Sequence, residues 1–128
     1  MYTKTVMDHF QNPRNVGELP DADTVVEVGS PECGDTTRIF LKIDNNRIVD
    51  VKFQTLGCAA AIASSSMATE MIKGKTLEEA WKLTNHDVAD ALGGLPEKKM
   101  HCSMLAEGAI RQAINQYRTK QGLAPWTE

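Results

Sequence analysis

The sequence predicts an α+β domain: a three-stranded antiparallel sheet with helices packed on one of its faces. Three observations carry this prediction. Period-two alternation and β-branched enrichment are confined to residues 24–55. Between two of those stretches stands Asp44-Asn45-Asn46, a tight-turn sequence, because Asn tolerates the positive φ that a two-residue hairpin needs. Beyond residue 57 the apolar residues recur at helical spacing and are punctuated by helix caps and glycines. Strands first and helices afterwards is the order of an α+β fold.

Taken in order, "TKTVMDHF" at 3–10 predicts one or two helical turns, and "QNPRNVGELPDAD" supplies the Pro, Gly and Asn of an irregular connection. "TVVEVGS", "TTRIFLKI" and "RIVDVKFQT" are the three strands. In the second, Thr37, Ile39, Leu41 and Ile43 oppose Thr36, Arg38, Phe40 and Lys42. Strict alternation in the third sets Val49, Val51, Phe53 and Thr55 against Ile48, Asp50, Lys52 and Gln54. "CAAAIASSSMATEMIKG" predicts a helix rich in small residues, suited to close packing and stopped at a glycine. Thr76 stands three residues before Glu79, a capping box for a short helix, and another helix starts at Thr84 or Asn85 and stops at Gly93-Gly94. From about residue 102, Leu105, Ala109, Ile110, Ala113, Ile114 and Tyr117 trace an amphipathic helix ending near Gly122, and "LAPWTE" is expected to fray.

With 128 residues, the chain reads as one domain, 1–128, able to bury a core without staples. A net charge of -3 gives no electrostatic case for nucleic acid or an anionic membrane as partner. No apolar run approaches the ~20 residues of a membrane span, and "MYTKTVMDHF" lacks the apolar stretch of a secretion signal. A cytoplasmic location is therefore expected. Three cysteines cannot all pair with one another, and in a reducing compartment they point to metal or sulfur chemistry.

Each cysteine falls at a junction. Cys33 and Asp35 flank Gly34 between two predicted strands, where a loop lets side chains converge; the plainer alternative is a turn with a packed thiol and a solvated carboxylate. Cys58 sits where a strand hands over to a helix, at the positive end of the helix dipole, which favours thiolate; the alternative is a small core cysteine. His101 and Cys102 are neighbours at a helix start. Adjacent helical side chains diverge by about 100°, which suits one ion poorly in mid-helix but fits a centre lying over the helix end. Three thiols, an imidazole and a carboxylate make a metal-site inventory, although CxxC spacing is missing. Thiolates suit zinc or iron-sulfur species, and an Asp oxygen makes a weaker, more labile ligand for iron-sulfur than a fourth thiolate. Lys98 and Lys99 add positive potential ahead of His101 and Cys102 within a solvated "EKK" turn. His9 and His86 read as surface residues; Met67, Met71, Met100 and Met104 read as core filler.

In the order "DHFQNPRNVG", "CGD", "GCAAAIASSS" and "LPEKKMHCSMLAEGAI", these motifs resemble the iron-sulfur cluster assembly scaffolds of the IscU/NifU N-terminal family over nearly the whole chain. The resemblance implies an IscU/SufE-like fold. It implies that Cys33, Asp35, Cys58, His101 and Cys102 form the functional constellation, the cysteines receiving sulfur and holding iron. It implies a cysteine desulfurase of the IscS/NifS type as sulfur donor, an electron donor such as a ferredoxin, and a homodimer when cluster-bound. The product is a [2Fe-2S] cluster, or in some cases [4Fe-4S], built from Fe2+ and passed to apo-proteins or carriers. Zn2+ is expected to enter the empty site.

Many members carry Leu-Pro-Pro-Val-Lys, read by an Hsp70-type chaperone; here Leu95-Pro96-Glu97-Lys98-Lys99 stands instead, and the chaperone partner is not carried over. No counterpart of the C-terminal domains of longer NifU proteins is expected within residues 1–128. The Suf-type sulfur acceptors bear an insertion between the second and third cysteines that this sequence lacks. The sequence thus predicts a scaffold rather than an enzyme. Cys102 is expected to accept persulfide, Asp35 to make the cluster labile, and Asp35 or His101 to complete the iron shell. Two rivals use the same residues: a zinc-dependent sulfurtransferase of the SufU type, and a structural zinc staple.

Overall fold

The computed structural model describes residues 2–29 and 34–127, His101 by its backbone alone. Three strands, β1 (Thr24–Gly29), β2 (Thr36–Asp44) and β3 (Arg47–Leu56), form an antiparallel sheet in the order β1-β2-β3. Asn45 and Asn46 both adopt positive φ, 53° and 61°, and close the β2–β3 hairpin in two residues as expected. Helices α1 (Lys4–Gln11), α2 (Ala59–Ile72), α3 (Leu77–Trp81), α4 (Asn85–Ala91) and α5 (Met100–Lys120) accompany the sheet, α2 lying against β3 and α5 across β1 and β2. Ile39, Leu41, Ile43, Ile48 and Val51 of the sheet meet Ala63, Ala68, Ile72, Ala106, Ala109, Ile110 and Ile114 of these helices in one apolar core.

The small side chains of α2 let it be enclosed. Ala60, Ala61, Ala63, Ser64, Ser65, Ser66, Ala68 and Thr69 are all buried, so the helix is contacted by α1, α5 and β3 at once. Thr76 and Thr84 cap α3 and α4, each with a complete capping box, to Glu79 and to Asp87. Thr3 caps α1 through Val6 N–H and also donates its hydroxyl to the Leu92 carbonyl, joining α1 to the end of α4.

The alternation expected of β3 breaks once. Ile43 pairs with Ile48 and Lys42 with Asp50, so Val49 is the extra residue of a β-bulge. The bulge reverses the facing of the residue before it. Ile48 is therefore buried beside Val51 and Phe53, while Val49 is exposed. After α1 the chain runs back along β3, where Phe53 N–H donates to Asn15 C=O and Gly17 N–H to Phe53 C=O.

Three further expectations are corrected. His9 is buried, because it sits one helical turn from Val6 on the face of α1 that meets α2. Met104 is 54% exposed: it lies on the outer side of α5, while Met67 and Met71 pack on the core. The tail, expected to fray, is docked at Trp126. Asn115 brackets the Trp126 backbone, accepting from its N–H at 2.7 Å and donating to its carbonyl at 3.0 Å. Trp126 meets Trp81 edge-on, with ring centroids 5.5 Å apart, and lies under the Arg118 guanidinium. His86 is exposed, as expected.

Candidate metal and sulfur site

Three element ends converge at one end of the sheet. Asp35 immediately precedes β2, Cys58 occupies the N-cap of α2, and Cys102 lies in the first turn of α5. Helix α5 begins at Met100, two residues before the expected start, after a 3-10 turn over Glu97–Lys99 in which Lys98 is exposed. Cys58 Sγ and Cys102 Sγ are 3.4 Å apart, and Cys58 Sγ is 3.7 Å from Asp35 Oδ2. One donor atom from each of the three residues falls within 4.8 Å of the others.

Backbone and apolar groups frame these donors. Cys58 adopts extended backbone geometry and its own side chain makes no capping hydrogen bond, and the leading N–H groups of α2 point toward the Cys58 end of the helix. Cys102 is 1% exposed, in a small apolar cluster with Ala60 and Ala61 against which Tyr2 and Leu95 pack. Cys58 is half-buried, and Asp35 is 5% exposed.

A hydroxyl brace behind the site fixes these ends relative to one another, and the sequence reading missed it. Thr37 Oγ1 and Thr55 Oγ1 face each other across β2 and β3 at 3.0 Å; Thr55 then donates to Ser65 of α2, also at 3.0 Å, and Ser65 donates to Ala61 C=O. Thr37 is two residues after Asp35, and Thr55 three before Cys58. The signal available in sequence was only a threonine in each strand near the cysteines. A second polar set lies deeper along α2: Ser66 Oγ accepts from Arg14 N–H at 2.9 Å and meets His9 Nδ1 at 2.7 Å. Burial, with the Arg14 charge next, holds the His9 imidazole below its ordinary range.

Of the five residues singled out in sequence, Asp35, Cys58 and Cys102 are brought together. Cys33 lies outside the described residues, as does the His101 side chain, whose backbone belongs to the first turn of α5. The donors found suit a soft metal. Two thiolates at the usual Zn–S length of 2.3 Å on a tetrahedral ion stand about 3.8 Å apart. The observed 3.4 Å needs only a few tenths of an ångström of opening.

The fold and the site together define a small α+β protein that concentrates thiol and carboxylate donors at one end of its sheet, the class that handles soft metals and sulfur. The chain belongs to the NifU-like N-terminal domain family, whose model matches residues 1–124. It is 64% identical over 122 residues to iron-sulfur cluster assembly scaffold protein IscU 1 of Archaeoglobus fulgidus, covering 95% of this chain and 80% of that one. It is 51% identical over 125 residues to the IscU scaffold protein of Haemophilus influenzae, covering 94% and 98%. A crystal structure ascribed to an iron-sulfur cluster assembly scaffold for the SUF system of Fervidobacterium islandicum AW-1 superposes with a TM-score of 0.74 at 26% identity, over 88% of this chain and 96% of that one. The three-stranded antiparallel sheet with helices is thus the fold of the family as well as of the sequence reading.

Proposed function

We propose that this chain is a scaffold, not an enzyme, on which iron and desulfurase-derived sulfur are combined into an iron-sulfur cluster that is then passed to apo-proteins. The observation that carries the reading is the convergence of Asp35, Cys58 and Cys102 within 4.8 Å. Membership of a family whose relatives are named as assembly scaffolds supports it. In this proposal residues 1–128 act as a single domain, Cys33 is the third thiol, and Asp35 or His101 completes the shell around a [2Fe-2S] cluster.

Sulfur arrives as persulfide. Cys102, the assigned acceptor, is buried, whereas Cys58 is half-exposed and 3.4 Å from it. A persulfide formed first on Cys58 reaches Cys102 when the Cys102 thiolate attacks the outer sulfur. The S–S bond to Cys58 breaks, one to Cys102 forms, and Cys58 leaves as thiolate, so no electrons are consumed. Reduction to sulfide needs an electron donor of the ferredoxin kind. Thiol chemistry of this sort calls for a reducing compartment, which favours the cytoplasm. No helix of the described residues is long and apolar enough to cross a membrane.

Anaerobic reconstitution with Fe2+, cysteine and a cysteine desulfurase tests the reading. The expected result is visible sulfur-to-iron absorbance with iron and sulfide in equal amounts, and native mass measurement then reports the cluster type and any dimer. The sulfurtransferase alternative predicts stoichiometric zinc and no visible absorbance. A zinc staple predicts unfolding on chelation. Zinc in a purified sample does not separate these readings, because a vacant cluster site with these donors binds it too.

A further inference from the structure

Two glycines flank the acidic ligand, and they are glycine for opposite reasons. Gly34 has φ +72°, in the left-handed region, and a methyl group added there would meet nothing within 4 Å; its backbone, not its size, requires the residue. Gly57 is not among the glycines of positive φ, and its backbone suits any L-residue. What it cannot carry is a side chain. A Cβ at Gly57 would stand 2.6 Å from Asp35 Cγ, 2.7 Å from Oδ1 and 2.9 Å from Asp35 Cβ, each well inside van der Waals contact.

We propose that Gly57 is a positioning residue of the site: the space left by its missing side chain is the seat of the Asp35 carboxylate, and that seat sets Asp35 against the two thiols. The carboxylate is enclosed where it stands. Asp35 is 5% exposed, and its Oδ2 is 3.7 Å from Cys58 Sγ. On its two sides the backbone is fixed by the Thr37–Thr55–Ser65 brace and by the N-cap of α2. A methyl group at Gly57 must therefore expel the carboxylate from its place or separate β2 from the β3–α2 junction. That Asp35 acts as an oxygen donor rests on the scaffold reading above; that Gly57 seats it does not.

The test uses Co2+ as probe, titrated anaerobically into the reduced full chain and into Gly57→Ala, Asp35→Gly and the double variant. Co2+ reports both affinity and, through its ligand-field bands, the donor set. The expected result is that Gly57→Ala loses about tenfold in Co2+ affinity, the scale seen when a group orienting a metal ligand is removed. Its spectrum shifts to that of Asp35→Gly, and adding Gly57→Ala to Asp35→Gly changes neither affinity nor spectrum further. A Gly57→Ala protein with the parent affinity and spectrum overturns the proposal, as do effects that add fully in the double variant.

Should Gly57→Ala fail to fold, Asp35→Gly supplies the second measurement, because it removes the three atoms nearest the added methyl group, each within 3 Å of it. Recovery of the melting temperature in the double variant supports the seat, and a double variant that remains unfolded overturns it. If the parent chain gives no thiolate-to-cobalt absorption, the donor reading fails by itself. The seat is then judged on the melting-temperature cycle, where loss in Gly57→Ala without recovery in the double variant overturns it.

Discussion

Cys58 Sγ and Cys102 Sγ lie 3.4 Å apart although their positions in the chain differ by 44. A helix cap and a first helical turn deliver the two sulfurs to one point.

The thiol pair should oxidise within the chain. With diamide as two-electron acceptor, both thiols lose their protons, a Cys58–Cys102 bond forms and diamide is reduced to the hydrazine. Peptide mapping should find this bond in the dilute monomer, with Co2+ uptake lost and then restored by dithiothreitol. Mixed disulfides between chains as the main product would show that the thiols do not meet in solution.

Replacing Asp35 should stabilise the bound cluster. A hard oxygen ligand on iron exchanges faster than a thiolate, so the Asp35→Ala protein, reconstituted anaerobically and exposed to air, should hold its visible absorbance severalfold longer than the parent. An equal or shorter lifetime removes Asp35 from this role.

Acid should loosen the contact between α1 and α2. His9 is 6% exposed and its pKa is lowered, first by burial and then by Arg14, against the raising effects of Asp8 and Glu70. The unfolded chain, with an ordinary histidine near 6.5, therefore takes up the proton before the folded one does. Stability from this group is complete above about pH 6.5 and declines as the pH falls from there through the folded value. Urea midpoints measured from about pH 8 to 5 should drop less in His9→Asn than in the parent. Ser66→Ala, which strips a partner from both His9 and the Arg14 N–H, should cost about 1–3 kcal/mol.

The tail should contribute to stability. Asn115→Ala removes both hydrogen bonds to the Trp126 backbone and is expected to cost about 1–2 kcal/mol. Tryptophan fluorescence should change at the same time, because the Trp81–Trp126 contact is lost. An unchanged spectrum and melting temperature would mean that the tail is undocked in solution.

The bulge in β3 sets a contrast between neighbours. Ile48→Ala should destabilise by about 2–5 kcal/mol, as a buried large-to-small change does. Val49→Ala, on the exposed side, should cost under about 1 kcal/mol. Reversed magnitudes would restore the unbroken alternation.

Much of this protein is legible locally. The capping boxes at Thr76 and Thr84, the Asn45-Asn46 turn and the small-residue run of α2 depend on neighbours within a turn of the chain, and each is found where its motif stands. The facing of Ile48 was not legible, because the parity of a bulged strand depends on how many residues its partner has between two pairings. The burial of His9 and the docking of Trp126 escaped for a related reason: their partners Ser66 and Trp81 are far away in sequence, and polar or terminal residues carry no apolar period to reveal them.

By itself the sequence determined the type and order of the elements, the place of Asp35, Cys58 and Cys102 at their ends, and the family resemblance. Only the tertiary structure decided that three such ends share one place, that Cys58 and Cys102 are in contact, and that the carboxylate beside Cys58 needs an empty position at Gly57. Hydrogen bonding and capping act over a few residues and leave a local imprint, whereas the meeting of side chains across a core follows from how the whole sheet and its helices fill space.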